Sequence, residues 1–419
     1  MLQRIQVRNR WKSIFKPWEE ADPWLFGACI GLTIFGGIMI RSVEINQGLI
    51  DWWRHWVTGG VGLFIAIIIS RCRYQILIQW KWPIYILINL SLIAVRFIGT
   101  TGLGAQRWIN IGGFYLQPSE FAKVGMIVTL AALLHDKTVP TVGNMLRMLA
   151  IMAVPWGLIF AEPNLGTSLV FGAITMGMFY WGNVNPGWLI LLFSPLFSVL
   201  LYNLSTPIWV AWVVLAGIIA WRSLPWPWLG TFGAVLVNVV SGHVGHIFWN
   251  VLKDYQKMRL TGFLNPEKDP LGSGYHLIQS RIAIGAGELK GRGLFRGTQT
   301  QLNFIPEQHT DFIFSAIGEE LGFIGCICVL VVFWIICFRL VMLAQTANDN
   351  FGSLLAIGVL SMLIFQVFVN IGMNIGLAPV TGIPLPFLSY GNASLLSNFL
   401  GLGLVESVAN QRQRKKRWN

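Results

Sequence analysis

Apolar residues in this chain gather in long blocks instead of alternating with polar ones. Twelve such blocks can be marked, at about 24–40, 57–70, 83–98, 118–134, 145–160, 165–181, 187–203, 207–221, 226–249, 312–338, 352–375 and 385–408. A helix needs about 20 apolar residues to cross a bilayer, so blocks of this length and continuity predict membrane helices. Several are short enough for tilt, re-entry or merging. The expected fold is therefore an all-α polytopic membrane protein with about ten to twelve transmembrane helices. One stretch breaks the pattern. Residues 250–311 are charged and rich in turn residues, and they form the one large extracytoplasmic loop. The chain divides into a basic tail (1–20), a single transmembrane domain (21–411) that contains this loop, and a second basic tail (412–419). The N-terminus lacks a short apolar region followed by a small-residue cleavage site, so the first span is expected to be retained.

Composition agrees. Of the 419 residues 54% are hydrophobic and only 11% are charged, with a mean hydropathy of +0.61. A soluble enzyme needs more polar surface than that. The net charge of +12 could suggest nucleic acid, but its distribution argues for a membrane and no nucleic acid. With both termini cytoplasmic, 17 of the 30 Lys and Arg fall in the tails and inner loops, as the positive-inside rule requires. Eight more lie in the long loop, which at its length is nearly exempt from that rule; they mark where an anion could bind outside. No dinucleotide fingerprint, phosphate loop or zinc spacing occurs. The Gly-rich pieces 99–106 and 285–293 read as plain loops more readily than as phosphate cradles. Cys326 and Cys328 point to different sides of a helix, which argues against a shared metal.

Three constellations could carry chemistry. The long loop ends Pro306-Glu307-Gln308-His309-Thr310-Asp311, and Asp311 stands where the chain enters an apolar helix. It reads equally as an N-cap, accepting backbone N–H bonds at a helix start. Ser315 and Glu319 follow at i+4 and i+8 on a helix otherwise made of Phe, Ile and Leu. Glu319 and Glu320 lie about two turns inside the span, where carboxylates normally face a water-filled cavity or a cation. The second constellation, Gln117-Pro118-Ser119-Glu120-Phe121-Ala122-Lys123, opens the fourth block. Glu120 and Lys123 are spaced to pair. A buried structural ion pair is the plainer reading, and Lys123 neutralising a phosphate, joined by Arg107, is the alternative. The third runs through the loop, where Tyr255, Lys257 and Arg259, then Tyr275, His276, Gln279 and Arg281, recur at helical spacing; an amphipathic interfacial helix accounts for this without any ligand. Further on, Pro379, Pro384 and Pro386 break the helical pattern at membrane depth, which implies a protein-lined cavity or a re-entrant segment.

These motifs resemble those of the SEDS family (shape, elongation, division and sporulation). The resemblance rests on GAQRWINIGGFYLQPSEFAK (104–123), EPNLGTSLV (162–170), KDYQKMRLTGFLNPEKDPLGSGYHLIQSRIAIGAG (253–287), GTQTQLNFIPEQHTDFIFSAIGEELGFIG (297–325) and NIGMNIGLAPVTGIPLPFLSYG (370–391). GTQTQL before the PEQHTD motif is nearer the elongation type than the division type. The resemblance implies a peptidoglycan glycosyltransferase of the plasma membrane that polymerises lipid II into glycan strands on the outer face. It also implies a class B penicillin-binding protein as the cross-linking partner. The family's essential aspartate falls on Asp311, and its cavity-lining glutamate and lysine fall on Glu120 and Lys123. There are departures: Asn164 stands where the family usually has Asp, and Asn392 where it usually has Gly. Residues 204–250 look like an inserted helix pair, in which the chain is similar to cyanobacterial members.

The chemistry asks for few parts. A sugar 4-hydroxyl attacks an anomeric carbon and a lipid diphosphate leaves, which needs one base and positive charge, but no acid for the leaving group. Asp311 is the expected base. Lys123, Arg107, Arg259 and Arg281 are the candidate diphosphate binders. Glu120, Gln279, Glu307 and His309 complete the expected substrate site. A divalent cation such as Mg2+ or Mn2+ would suit this chemistry, though no ligand set is read for it. Two rival readings remain: a flippase carrying lipid II, because intramembrane charges and broken helices suit a transporter, and a non-catalytic scaffold of the elongation machinery.

Overall fold

The computed structural model describes residues 22–46, 51–102, 105–112, 114–136, 142–162, 164–251, 262–263, 266, 274–302, 304 and 307–416. Each apolar block yields a helix, although the last, marked from 385, turns helical only at Asn392. In chain order these are α1 (Pro23–Glu44), α2 (Asp51–Arg71), a short α3 (Ile76–Gln79), α4 (Lys81–Ile98), α5 (Pro118–His135), α6 (Val142–Ala161), α7 (Leu165–Trp181), α8 (Pro186–Leu204), α9 (Thr206–Ser223), α10 (Pro227–Val251), α11 (Tyr275–Ala286), a short α12 (Thr298–Gln301), α13 (Ile313–Gln345), α14 (Asn350–Ile375) and α15 (Asn392–Lys416). Among the described residues, nine of these helices are long and apolar enough to cross a membrane. The protein is a multi-pass membrane protein.

Local chemistry sets several of the boundaries. Asp22 caps α1, accepting from the backbone N–H groups of Trp24 at 3.1 Å and Leu25 at 3.2 Å, and Pro23 occupies a first-turn position where no N–H is missed. Asp349 caps α14 through Gly352 at 2.7 Å. Gly376 ends that helix in the left-handed conformation (φ +84°), the usual glycine C-cap.

The described chain forms two compact units. One joins the residues up to Met178 with those from Tyr275 onward, and the other is Phe179–Gly274. In the first, α2 and α15 make the most extensive helix pair. A Cβ on Gly403 would come within 2.9 Å of the Ala66 backbone, so the two backbones approach as closely as small residues allow in a membrane interface. α14 packs against α5, α11, α13 and α15 and ties together the elements that carry the candidate residues. In the second unit, α8, α9 and α10 pack on one another. Buried Asn238 of α10 donates to Ser194 Oγ at 2.8 Å, and Ser198 Oγ donates to the Asn238 carbonyl at 2.6 Å.

Two features differ from a plain helix-and-loop expectation. Residues 100–116 form a small antiparallel meander of β1 (Thr100–Gly102), β2 (Ala105–Ile111) and β3 (Phe114–Leu116), with Thr100 opposite Trp108 and Ile109 opposite Leu116. The stretch beginning at Gly99 was expected to be a loop. And α13 is broken within its 33 residues by Gly322, at φ 66° and ψ −164°.

Candidate active site

The proline-rich stretch between α14 and α15 is irregular, as its sequence requires. Residues 376–391 form no helix, yet Ile383, Leu385, Phe387, Leu388 and Ser389 are buried. Backbone at that depth needs partners. Asn370 Nδ2 donates to the Ile383 carbonyl at 2.8 Å, and Ser389 Oγ accepts from the Leu385 N–H at 2.8 Å. The Tyr390 N–H donates to the His309 carbonyl at 2.9 Å. This last bond joins the irregular stretch to the turn 307–312, which carries Asp311.

Asp311 is not a helix cap. The N-cap of α13 is Phe312, and no side chain caps that end. Instead, the backbone of Asp311 is held from α14. Asn370 Nδ2 and Asn374 Nδ2 both donate to the Asp311 carbonyl, at 2.9 and 3.1 Å. Asn374 is fixed in turn: its Oδ1 accepts from Ser315 Oγ at 2.5 Å, and its carbonyl accepts from Ser280 Oγ at 2.7 Å. Ser280 belongs to α11, so three helices converge on one peptide group. All four of these side chains are fully buried, and a satisfied buried polar network of this kind rigidifies what it holds.

The Asp311 carboxylate itself is half-buried, and among the described residues no side chain or backbone N–H donates to it. A Cβ on Gly382, a residue at φ +72°, would sit 3.6 Å from Asp311 Oδ2; glycine there leaves that side of the carboxylate clear. Burial pushes the Asp311 carboxyl up to about 7, and the Glu307 carboxylate nearby pushes the same way. A rigidly mounted, unpartnered carboxyl that exchanges its proton near neutrality has the properties of a general base.

Other predicted residues have different neighbours. Lys123 and Glu120 form a 2.7 Å ion pair with side-chain exposures of 1% and 7%. This is the ion-pair arrangement, and among the described residues no hydrogen bond or ion pair links it to Asp311. Ser397 Oγ donates to the Glu120 carbonyl at 2.8 Å, which anchors α5 to α15. Arg107 on β2 donates from Nε to the Glu162 carbonyl at 3.1 Å. Burial raises the Glu162 carboxyl to about 7, and Arg107 lowers it. Asn164 donates to Ser119 Oγ and accepts from the Thr167 N–H, both at 3.3 Å, so the amide caps α7. Arg281 is exposed on α11, with its stem across Gly376 at the C-terminal end of α14. Gln279 and His309 are half-buried, and Glu307 is exposed. The His309 ring lies 5.8 Å from that of Tyr390, and His276 stacks on Phe312 at 5.9 Å. Arg259 lies outside the described residues, as do Tyr255 and Lys257.

Among the described residues, the buried pair Glu319 and Glu320 takes its partners from hydroxyls and backbone N–H groups, with no ion pair to a cation. Glu319 accepts from the N–H groups of Gln299 (2.8 Å) and Thr300 (3.0 Å) and from both threonine hydroxyls, Thr298 and Thr300. Glu320 accepts from Ser42 Oγ at 2.5 Å and the Phe295 N–H at 3.1 Å. These carboxylates fasten the 295–300 stretch to α13. Sequence reasoning missed Asn370, Asn374 and Ser280. The two asparagines, spaced i,i+4 on an otherwise apolar helix, were the available signal.

The profile of the cell cycle proteins FtsW, RodA and SpoVE matches residues 23–216 and 184–414. The chain belongs to this family, the SEDS proteins. The peptidoglycan glycosyltransferase MrdB of Escherichia coli K12 is 33% identical over 94% of this chain and 96% of its own. The peptidoglycan glycosyltransferase RodA of Treponema pallidum is 34% identical over 94% of this chain and 98% of its own. Among solved structures, a chain of a peptidoglycan synthase complex that coordinates polymerization and crosslinking aligns with a TM-score of 0.71 and 27% identity, covering 94% of this chain and 98% of that one. The rod shape determining protein RodA of Thermus thermophilus shares the fold at a TM-score of 0.62 and 24% identity, over 94% of this chain and 97% of that one.

Proposed function

We propose that this SEDS protein is a peptidoglycan glycosyltransferase that polymerises lipid II into glycan strands at the outer face of the plasma membrane during elongation and shape maintenance, with Asp311 as its general base. The observation that carries the assignment is the mounting of Asp311: its peptide is clamped by Asn370 and Asn374 while no described residue donates to its carboxylate. The naming of relatives that match nearly the whole chain supports the activity.

In the reaction, the acceptor's 4-hydroxyl oxygen forms a bond to the donor's anomeric carbon with inversion. The bond from that carbon to the lipid diphosphate breaks, the diphosphate leaves with the electron pair, and Asp311 takes the hydroxyl proton. The leaving group needs positive charge. Arg281, exposed one residue from Ser280 of the Asp311 network, is the foremost donor of it, with Arg107 and Arg259 as further candidates. Lys123 and Glu120 act as a buried pair that orients α5, and Gln279 is a further substrate-binding candidate. Both termini face the cytoplasm in this scheme, and a class B penicillin-binding protein cross-links the strands. The SEDS-like chain of a synthase complex that couples polymerization to crosslinking supports such a partner.

A polymerase needs no bilayer to act, whereas a flippase has no product without one. Purified protein in detergent, given lipid II, is expected to yield glycan polymer resolvable by gel. Transport in vesicles with no polymer in detergent would overturn the reading.

A further inference from the structure

Three side chains from three separate segments meet beside the turn that carries Asp311. Glu44 is the last residue of α1, Asp51 the first of α2, and His309 lies in the turn 307–312. One ligating atom from each lies within 4.8 Å of the others. The group joins two oxygens to an imidazole nitrogen, so it is more than an acidic cluster.

A second observation points to a ligand. Glu44 is 1% exposed. Its Oε2 accepts from the Trp52 N–H at 3.1 Å, but its Oε1 has no hydrogen-bond partner among the described residues. A buried carboxylate oxygen left this way is costly, and such groups are normally paired or bound to a metal. Neighbouring cations do not supply the missing partner. Arg54 bonds Asp51 Oδ1 at 3.1 Å from the exposed side, and Arg41 lies over the Trp52 ring, 5.2 Å from its centroid. Arg54 offsets the charge of one of the two carboxylates.

We propose that Glu44, Asp51 and His309 form a binding site for a divalent cation of the Mn2+ or Zn2+ class. The imidazole argues against Mg2+ and Ca2+, which prefer all-oxygen shells. Donors around an ion with bonds of about 2.1 Å stand about 3–3.4 Å apart, so side-chain shifts on the order of 1 Å close the three atoms onto it. Three protein ligands leave further positions open to water. Bound there, the ion ties the Asp311 turn to the ends of α1 and α2. The proposal stands on this geometry and does not rest on the glycosyltransferase reading.

The test is titration of Mn2+ into the purified full-length protein, following loss of the free-ion EPR signal, together with thermal unfolding with and without Mn2+ and Zn2+. The expected result is one Mn2+ bound per chain and a higher Tm in either ion. Glu44→Gln and His309→Ala should each weaken binding at least tenfold and abolish the Tm shift, while Asp311→Asn retains both. Asp51→Asn is the second variant should Glu44→Gln fail to fold. Absence of saturable binding up to millimolar Mn2+ and Zn2+, or variants that bind like the wild type, would overturn the proposal. An inactive Asp311→Asn that still binds Mn2+ bears on the polymerase reading alone.

Discussion

At the scale of single residues, the amides of Asn370 and Asn374 matter through the peptide of the acid they hold. If they position Asp311, Asn370→Ala should lower kcat for glycan synthesis by about tenfold and leave KM for lipid II nearly unchanged, because one buried bond to the Asp311 peptide is worth about 1–3 kcal/mol. A rise in KM at constant kcat would contradict a positioning role. Glu162 makes a separate prediction. Its folded pKa of about 7 exceeds the ordinary value of 4.5, so the folded state binds the proton more tightly, and stability falls as pH rises from about 4.5 to 7. Glu162→Gln should therefore raise Tm at pH 8 relative to wild type by about 1–3 °C and change it little at pH 4.5. Differential scanning at the two pH values checks this. At this scale the sequence was legible where one residue type stood at a boundary. Asp311 could be singled out, but the cap reading could be set aside only once Phe312 proved to be the N-cap. The convergence of Glu44, Asp51 and His309 was not legible, because it depends on how α1, α2 and a distant turn pack.

At the scale of elements, blocks of apolar sequence translated directly into helices, since a bilayer demands internal backbone hydrogen bonding. The prolines between Asn370 and Ser397 likewise marked the irregular stretch beside Asp311. The meander at 100–116 was hidden because strands of three to seven residues carry little periodicity. Glu319 and Glu320 were legible as intramembrane carboxylates, but their partners are backbone N–H groups and hydroxyls of the 295–300 stretch, which no pattern in the helix reveals. Glu319→Ala leaves the N–H groups of Gln299 and Thr300 unpaired and should destabilise the protein by about 3 kcal/mol, with new proteolytic sensitivity in residues 295–302. Gly322→Ala should do comparable harm, because a Cβ there would lie 2.3 Å from the Gly291 nitrogen in a backbone conformation closed to side chains. Wild-type protease resistance in both variants would show that this clamp is dispensable.

At the scale of the whole molecule, a membrane scaffold presents the Asp311 carboxylate at the edge of a span with no donor among the described residues, backed by α14, which packs against α5, α11, α13 and α15. The family relationship covers nearly the entire chain. If the reaction is coupled to cross-linking, addition of the cognate transpeptidase should raise the rate of strand synthesis without being required for it. The most direct measurement is the rate of glycan polymer formation from purified lipid II by wild type and Asp311→Asn, side by side, with Tm recorded for both. The predicted result is a fall of roughly 10²–10⁴-fold with little change in Tm. Polymer formed at the wild-type rate by a folded Asp311→Asn protein would contradict the account.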